Sequence, residues 1–512
     1  MTDLVGQGEP AEVDFDKVAA FYTAFQMQDS LLAELLAEGS IAGANWSEAI
    51  ADPMTTYLAW TRDRGWLHWE GKVWVSIPDP SATELVRREL KLLFGMLCSR
   101  PDVDAHHVKT QYAQLLTESK AKKVTFFLKG LLTRQPDWFD REPDLINCQN
   151  GVLDLRTGSL HPHAARWYMT KITDAEYHPR AKHADWNRAL QAMPTDIHDY
   201  MQARYGQAIT GYPTDDDVLL VQTGGGQNGK STIVNAIVSA LGGYGGFVPE
   251  KVLLANPGEH PTELMTLRGT RMAVIEETPE GHRLPTKRLK DLVGTPVMTA
   301  RAMRQDFVSW STTHTLFLNT NYVPQVAETD HGTWRRLQLV KFPYKFVDPN
   351  DPLMAPNEKH GDPGLRDRIR YNKDRQLEAV LAWVVEGAMN YYTNGKRQFS
   401  VPLSIQSDTQ AWREEADLIL AYSKERLTFE PSSSVATTEL YEDFSTWLKD
   451  SGRSTWNDQT FASRFGGHDL ADRNHVTKVR TSSHASIVRR IGGGFAPPLP
   501  TKVNVWKGVS FN

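Results

Sequence analysis

A triphosphate is held by a curl of backbone N–H groups with a cation within reach. Residues 224–231, Gly-Gly-Gly-Gln-Asn-Gly-Lys-Ser, supply both in the spacing G-x-x-x-x-G-K-[ST]. Gly224, Gly225, Gly226 and Gly229 let the chain turn tightly around Gln227 and Asn228, so that successive amides face one point. Lys230 is placed to reach the β- and γ-phosphates of a nucleoside triphosphate, and the Ser231 hydroxyl suits Mg²⁺. Thr232 follows in the first turn of an expected helix, whose N-terminus adds its positive dipole end.

Hydrolysis at such a loop needs an acidic group at the end of a neighbouring strand, to hold Mg²⁺ and polarise water. The segment MAVIEET provides Glu276 and Glu277. Two adjacent carboxylates ending an apolar strand are costly unless a metal or a reaction uses them. A further apolar run, HTLFLNTN, ends in Asn319 and Asn321, whose amides could orient water or touch the γ-phosphate. Arg335 and Arg336 follow Gly332-Thr333-Trp334. An arginine that reaches a transferring phosphoryl group raises its rate by about 10³–10⁵.

These groups must be carried by strands that end at one place. Short apolar runs at 218–221, 272–275 and 315–318 alternate with helical segments such as 231–241, which predicts an α/β core with a parallel sheet under helices. Upstream, residues 1–50 are acidic and read as helical, with Phe15, Val18, Phe21 and Phe25 at helical spacing. Residues 57–76 are rich in Trp and alternate like short strands around a turn at Glu70-Gly71. Residues 145–178 read as strands and turns. Downstream, residues 346–366 read as a loop rich in Pro, Asp and Gly, 376–392 as an apolar helix, and 431–435 as a linker. Two amphipathic helices and a terminal strand at 503–509 follow.

At 512 residues the chain is long enough for about three or four domains. Its two cysteines, Cys98 and Cys148, form no CxxC, which argues against a disulfide framework or a cysteine zinc site and fits a reducing cytoplasm. There is no apolar run of membrane-spanning length, so no membrane partner is expected. Residues 1–60 hold ten acidic and one basic side chain, net −9, whereas residues 451–512 hold nine Lys/Arg and three Asp, net +6. The basic end suits a nucleic-acid contact or a solvated basic face.

Taken together, GGGQNGKST, AVIEE, KDLVGTPVMTARAMRQDFVSW, FLNTNYVPQV and the Arg-Arg before Phe342 resemble the successive motifs of superfamily 3 (AAA+) helicases. The nearest resemblance is to the phage/plasmid primase–helicase family related to the poxvirus primase–helicase. The segment NCQNGVLDLRTGSLHPHAARWYMTKITDAEYHPRAKHADWN is similar to that family's lead-in domain. The resemblance spans roughly residues 55–512. It implies an acidic helical segment (1–55), an α+β lead-in domain (56–205), an AAA+ ATPase core (206–345), a helical lid (346–430) and a basic winged-helix-like domain (431–512).

By the same resemblance Glu276 would hold Mg²⁺ with Ser231, Glu277 would be the catalytic base and Asn321 the sensor. Arg336 would be the arginine finger, with Arg335 as second choice. Lys290, Arg301 and Arg304 would grip single-stranded phosphates from a channel hairpin. One departure is that Gly294 is followed by Thr295-Pro296 where the family has an acidic residue. The implied activity is an ATP-dependent DNA helicase, acting on single-stranded and forked DNA as a homo-hexameric ring in the cytoplasm of a phage-infected or plasmid-bearing bacterium. Only about 55 residues precede the lead-in, too few for a primase domain, so a separate primase or polymerase is an expected partner. The competing expectation is an ATP-dependent initiator or helicase loader, which would share the nucleotide site without unwinding DNA. A DNA-packaging motor fits less well, because no acidic nuclease cluster follows the motor.

Overall fold

The structure is a computed structural model, which describes residues 27–38, 57–98, 104, 106, 110–254, 261–276, 284–303, 306–326, 331–395, 400–453, 455–489 and 498–512. Glu277, Arg304 and the aromatic spacing from Phe15 to Phe25 lie outside the described residues. Two compact units are present, Met1–Pro179 with Ala240–Tyr244, and Arg180–Ser239 with Gly245–Asn512. No described helix is long and apolar enough to cross a membrane.

The first unit packs helices α1 (Asp29–Glu38), α2 (Asp79–Cys98) and α3 (Glu118–Leu131) against an antiparallel meander, β1 (Leu58–Thr61), β2 (Gly65–Trp69) and β3 (Trp74–Ile77). Leu32, Leu58, Trp66, Leu90 and Val124 share its core. The turn expected at Glu70-Gly71 is there: Gly71 takes φ +85° and the Glu70 N–H donates to Val73 O at 3.0 Å. A second three-stranded sheet, β4 (Leu145–Cys148), β5 (Gly151–Asp154) and β6 (Leu160–His161), turns at Asn150-Gly151. Only glycine fits position 151, because a Cβ there would lie 2.6 Å from His161 O.

The second unit is built on a five-stranded, wholly parallel sheet. Its strands are β7 (Leu219–Thr223), β8 (Gly245–Val248), β9 (Met272–Glu276), β12 (Thr315–Thr320) and β13 (Leu337–Lys341), in the order β13-β7-β12-β9-β8. A parallel sheet covered on both faces needs strands that are apolar throughout, and β7 and β12 are buried at every residue. One face meets the cluster of Val221, Ile275, Leu289, Leu318 and Leu339. The other meets helix α5 (His198–Ala208), which follows α4 (Ala184–Leu190). Tyr205 of α5 stacks on Phe317 at 5.1 Å and donates to the Gln222 Oε1 at 3.0 Å.

Helix α6 (Lys230–Leu241) follows β7, and α7 (Thr286–Gly294) precedes an antiparallel hairpin, β10 (Val297–Ala300) and β11 (Val308–Ser311). Residues 346–366, read from sequence as a loop, contain all but the first residue of a short parallel pair, β14 (Lys345–Val347) with β15 (Glu358–His360). Three-residue strands have too little length for periodicity to register. Helix α8 (Gln376–Thr393) matches the expected apolar helix and crosses α5 at glycine on glycine. A Cβ on Gly206 would sit 2.2 Å from Ala388 N, and one on Gly387 would sit 2.2 Å from Gln202 O.

Helix α9 (Leu403–Ala416) lies along β13, with Trp412 edge-on to Trp334 at 5.2 Å and its Nε1–H on Pro324 O. Asp417 then bends the chain into α10 (Leu418–Arg426), capping it through the Leu420 N–H at 2.9 Å. The other Asp417 oxygen meets His468 Nε2 at 2.8 Å, and both side chains are fully buried. His468 Nδ1 accepts from the Leu470 N–H, so Nε2 carries the proton. The residues read as a linker at 431–435 instead lead into β16 (Ser434–Ala436), part of a sheet of order β16-β18-β17 with β17 (Thr477–Thr481) and β18 (Val503–Lys507). Helices α11 (Thr437–Asp450) and α12 (Asp458–Gly466) pack Phe444, Trp447, Phe461 and Phe465 against it.

Candidate functional site

Residues 224–229 leave the C-terminal end of β7 and return into α6 at Lys230. The loop curls because Gly226, Gln227 and Gly229 all take positive φ, +85°, +49° and +76°. Its first turn is closed by the Gly226 N–H on Gly224 O at 2.9 Å. Gly224 admits no side chain, since a Cβ would lie 1.9 Å from Asn228 Nδ2 and 2.8 Å from Phe342 O. Asn228 is buried and braces the bend by accepting from the Lys230 N–H at 3.2 Å. Gly225, Gly226 and Gln227 are exposed.

Lys230 is 4% exposed. Its Nζ donates to Thr320 O at 2.6 Å and to Gln222 O at 3.3 Å, so it sits across the ends of two adjacent strands. Ser231 is exposed one residue on, with Thr232 half-buried behind it. The register explains why these groups meet. Gln222 of β7 pairs with Asn319 of β12, and Asn319 pairs with Glu276 of β9. One cross-sheet row at the carboxyl end therefore reads Gln222, Asn319, Glu276, with the loop rising beside it. In open parallel sheets this edge is where ligands bind.

The row is under-satisfied. Asn319 is 3% exposed, yet its Oδ1 and Nδ2 both lack a hydrogen-bond partner. Gln222 Nε2 and Asn228 Nδ2 are also buried without one. Each such group costs about 1–3 kcal/mol, and a cluster of them is unusual outside sites that a ligand completes. The family resemblance points to Asn321 rather than Asn319. Asn321 lies in the bend just past β12 and is exposed, whereas Asn319 is inside the sheet. The signal that distinguishes them is the last ladder residue, Thr320, which pairs with Thr223.

Glu276 ends β9 exposed, at the edge of the row. Arg335 and Arg336 stand at the opposite end of the sheet, immediately before β13. Arg336 is the more buried, with Nη1 on Gly332 O at 2.6 Å and Nη2 on Asp217 at 3.1 Å. Arg335 reaches Asp217 at 3.3 Å and is 45% exposed. At about 3.3 Å per residue, five-residue β13 sets both guanidinium anchors some 16 Å from the loop edge. Arg301 begins the tip of the β10–β11 hairpin and lies 4.8 Å over the Phe307 ring. Lys290 is half-buried on α7. Met303 and Phe307 at the same tip are strongly exposed.

Residues 47–193 match the D5 N terminal like family, and residues 222–336, which hold the whole row, match a family of unknown function. A "Putative primase" of African swine fever virus is 28% identical over 327 residues, covering 60% of this chain and 33% of that protein. A "Putative helicase" of Frog virus 3 is 27% identical over 242 residues, 45% of this chain and 24% of that protein. A "Putative helicase" of Acanthamoeba polyphaga mimivirus is 22% identical over 328 residues, 60% and 33%. The chain thus aligns with a third or less of the length of these relatives, all from viruses of eukaryotes. The solved apo C-terminal region of NrS-1 superimposes with a TM-score of 0.45 at 10% identity, covering 88% of each chain.

Proposed function

The chain belongs to the phage and viral primase–helicase family, and from its site we propose an ATP-dependent DNA helicase of replication. One observation carries the proposal: a glycine loop with a buried lysine stands at the carboxyl edge of a parallel sheet, in register with an acidic strand end. The residues fit a nucleoside triphosphate. Three loop residues at positive φ and the first turn of α6 turn amides to one side, as phosphate oxygens require. They also fit Mg²⁺, which usually takes one or two protein oxygens and completes its shell with phosphate and water. Ser231 and Glu276 would be those protein oxygens, and the ion would neutralise phosphate charge when bound.

In this reading Lys230 holds the β- and γ-phosphates, and Glu277 takes the proton from the attacking water. Asn321 contacts the γ-phosphate from the bend after β12. The finger is Arg336, or Arg335, which is freer to extend. Their place at the far end of β13 suits action on the nucleotide of a neighbouring subunit, as a homo-hexameric ring would arrange. The β10–β11 hairpin, with Arg301 and Arg304, would grip one DNA strand, with Lys290 behind it. Residues 346–430 would serve as the lid and residues 431–512 as a winged helix on duplex DNA.

The test is strand separation on a 3′-tailed forked DNA with ATP and Mg²⁺, beside Lys230→Ala. Unwinding by the parent protein alone supports the helicase. DNA-stimulated ATP hydrolysis without strand separation transfers the assignment to an initiator or loader.

A further inference from the structure

In the first unit, ring and cation alternate from side chain to side chain: Phe126, Lys129, Trp60, Arg134 and Trp138. Phe126 and Lys129 are neighbours on α3, one turn apart. Lys129 Nζ lies 4.3 Å over the Trp60 ring of β1. The Arg134 N–H donates to Trp60 O at 2.8 Å, and the Arg134 guanidinium lies 5.7 Å over the Trp138 ring. We infer that this line binds single-stranded nucleic acid, with Phe126 and Trp138 stacking on bases and Lys129 and Arg134 meeting phosphates. It lies wholly within the first unit and holds whether or not the second unit unwinds DNA.

Backbone bonds fix the line. Trp60 donates its N–H to Leu132 O at 2.9 Å and accepts from Arg134, so the segment leaving α3 runs beside β1. Pro136 then opens a single tight turn, Pro136–Trp138, closed by the Trp138 N–H on Gln135 O at 3.1 Å. Tyr168 braces the Trp138 ring edge-on at 5.6 Å, and Phe127 braces Phe126 in the same way at 5.7 Å. The two end rings nevertheless stay 73% and 40% exposed. One exposed ring needs no explanation, but rings interleaved with cations along a fixed path do.

The cations are oriented without being neutralised. Among the described residues neither Lys129 nor Arg134 meets a carboxylate; Arg134 spends Nη1 on Leu131 O and Thr133 O. A ring attracts a cation through its π face and consumes no N–H donor, so donors are left for phosphate oxygens. Residues 118–138 hold five basic and two acidic side chains, net +3, although residues 1–60 carry net −9. Of the two acids, Glu118 is paired with Lys122, and Asp137 stands exposed beside Trp138. A second copy of the chain would set this positive line against itself. A bilayer suits one face of one helix, whereas the line leaves α3 for β1 and the turn beyond. A duplex keeps its base faces stacked inside. A single strand offers a π face to each ring and a phosphate to each cation.

The experiment is fluorescence anisotropy of a labelled oligothymidylate with the full chain, without nucleotide or Mg²⁺. The proteins are the parent, Phe126→Ala, Trp138→Ala, Phe126→Tyr, Trp138→Phe, Lys129→Ala and Arg301→Ala. Each ring-to-alanine change is expected to weaken binding roughly five- to hundredfold. Phe126→Tyr and Trp138→Phe keep the affinity, which separates a lost ring from a lost fold. Lys129→Ala makes the slope of log affinity against log salt shallower by about 0.7. A duplex of the same length binds more weakly and ignores both ring substitutions. Unchanged affinity in Phe126→Ala and Trp138→Ala overturns the proposal, as does an equal loss for duplex and single strand. Abolition by Arg301→Ala alone overturns it by assigning the strand to the β10–β11 hairpin. Self-association lost in the alanine variants while oligothymidylate binding stays intact gives the line to a second copy. Tighter binding to phosphatidylserine vesicles than to the oligonucleotide gives it to a membrane surface, and either result overturns the nucleic-acid reading.

Discussion

The two ends of the five-stranded sheet share the same strands and treat polar groups in opposite ways. At the amino end polar groups are spent on ties. Arg271 Nη1 donates to Ile209 O, Thr312 Oγ1 to Thr295 O, Thr313 Oγ1 to Thr270 O and Thr315 Oγ1 to Gln207 Oε1. His314 Nε2 meets Leu292 O at 3.2 Å, with its Nδ1 left over. At the carboxyl end, both atoms of the Asn319 amide and one each of Gln222 and Asn228 are buried without partners. Strand composition does not explain the difference, because both ends are buried parallel sheet. One end is largely satisfied by the fold, with His314 Nδ1 and Arg336 Nε left over. The other gathers its unpartnered amides into one cross-sheet row, the arrangement expected where stability is given up for a site.

Breaking the carboxyl end should be most visible in turnover. Lys230→Ala is expected to lower ATP hydrolysis about 10³-fold, measured as phosphate release at saturating ATP, because the cation across the strand ends is lost. An effect below tenfold would mean that the buried lysine serves the fold alone.

The amino end should instead respond to pH. Burial holds the His314 imidazole down to about 4 from its usual 6.5. The unfolded chain therefore gains a proton below about pH 6.5 that the folded chain refuses until about pH 4. Its contribution to stability is present above pH 6.5 and is lost as pH falls through that window, by about 2 kcal/mol between pH 7 and pH 5. Urea denaturation at the two pH values, with His314→Gln alongside, reads it directly. The variant should show a shallower decline.

Asn319→Leu sets the two ends against each other within one residue. Removing an unsatisfied amide should raise stability by about 1 kcal/mol, while turnover falls roughly tenfold. Lost stability would show that the amide has a partner in the folded protein. The smallest effect belongs to Arg335→Ala. Its pair with Asp217 is exposed, so thermal stability should change by less than about 0.5 kcal/mol. Any loss of ATPase should then appear only at protein concentrations that support an oligomer.

What was legible in the sequence follows the range of the causes. The loop, its lysine and the strands around it were readable because a phosphate cradle needs fixed residue types at fixed spacing. The edge of β12 was not, because Asn319 and Asn321 have the same parity and only the register with Thr223 shows which one stays inside. Residues 345–347 and 358–360 pair in parallel across the connection 348–357, which periodicity does not detect. The crossing of α5 and α8 joins Gly206 to Gly387, glycines far apart in the chain that carry no local signal.

The buried pair of His468 and Asp417 has a mechanical consequence. Each residue caps a helix of its own, at Leu470 and at Leu420, and each is spent on the other. The C-terminal elements are thus keyed into the end of α9, whose Trp412 is fastened to the segment after β12. A keyed joint transmits torque, where a flexible tether would dissipate it. Heating should therefore melt the sheet and the C-terminal elements in a single calorimetric transition, and His468→Ala should split it into two.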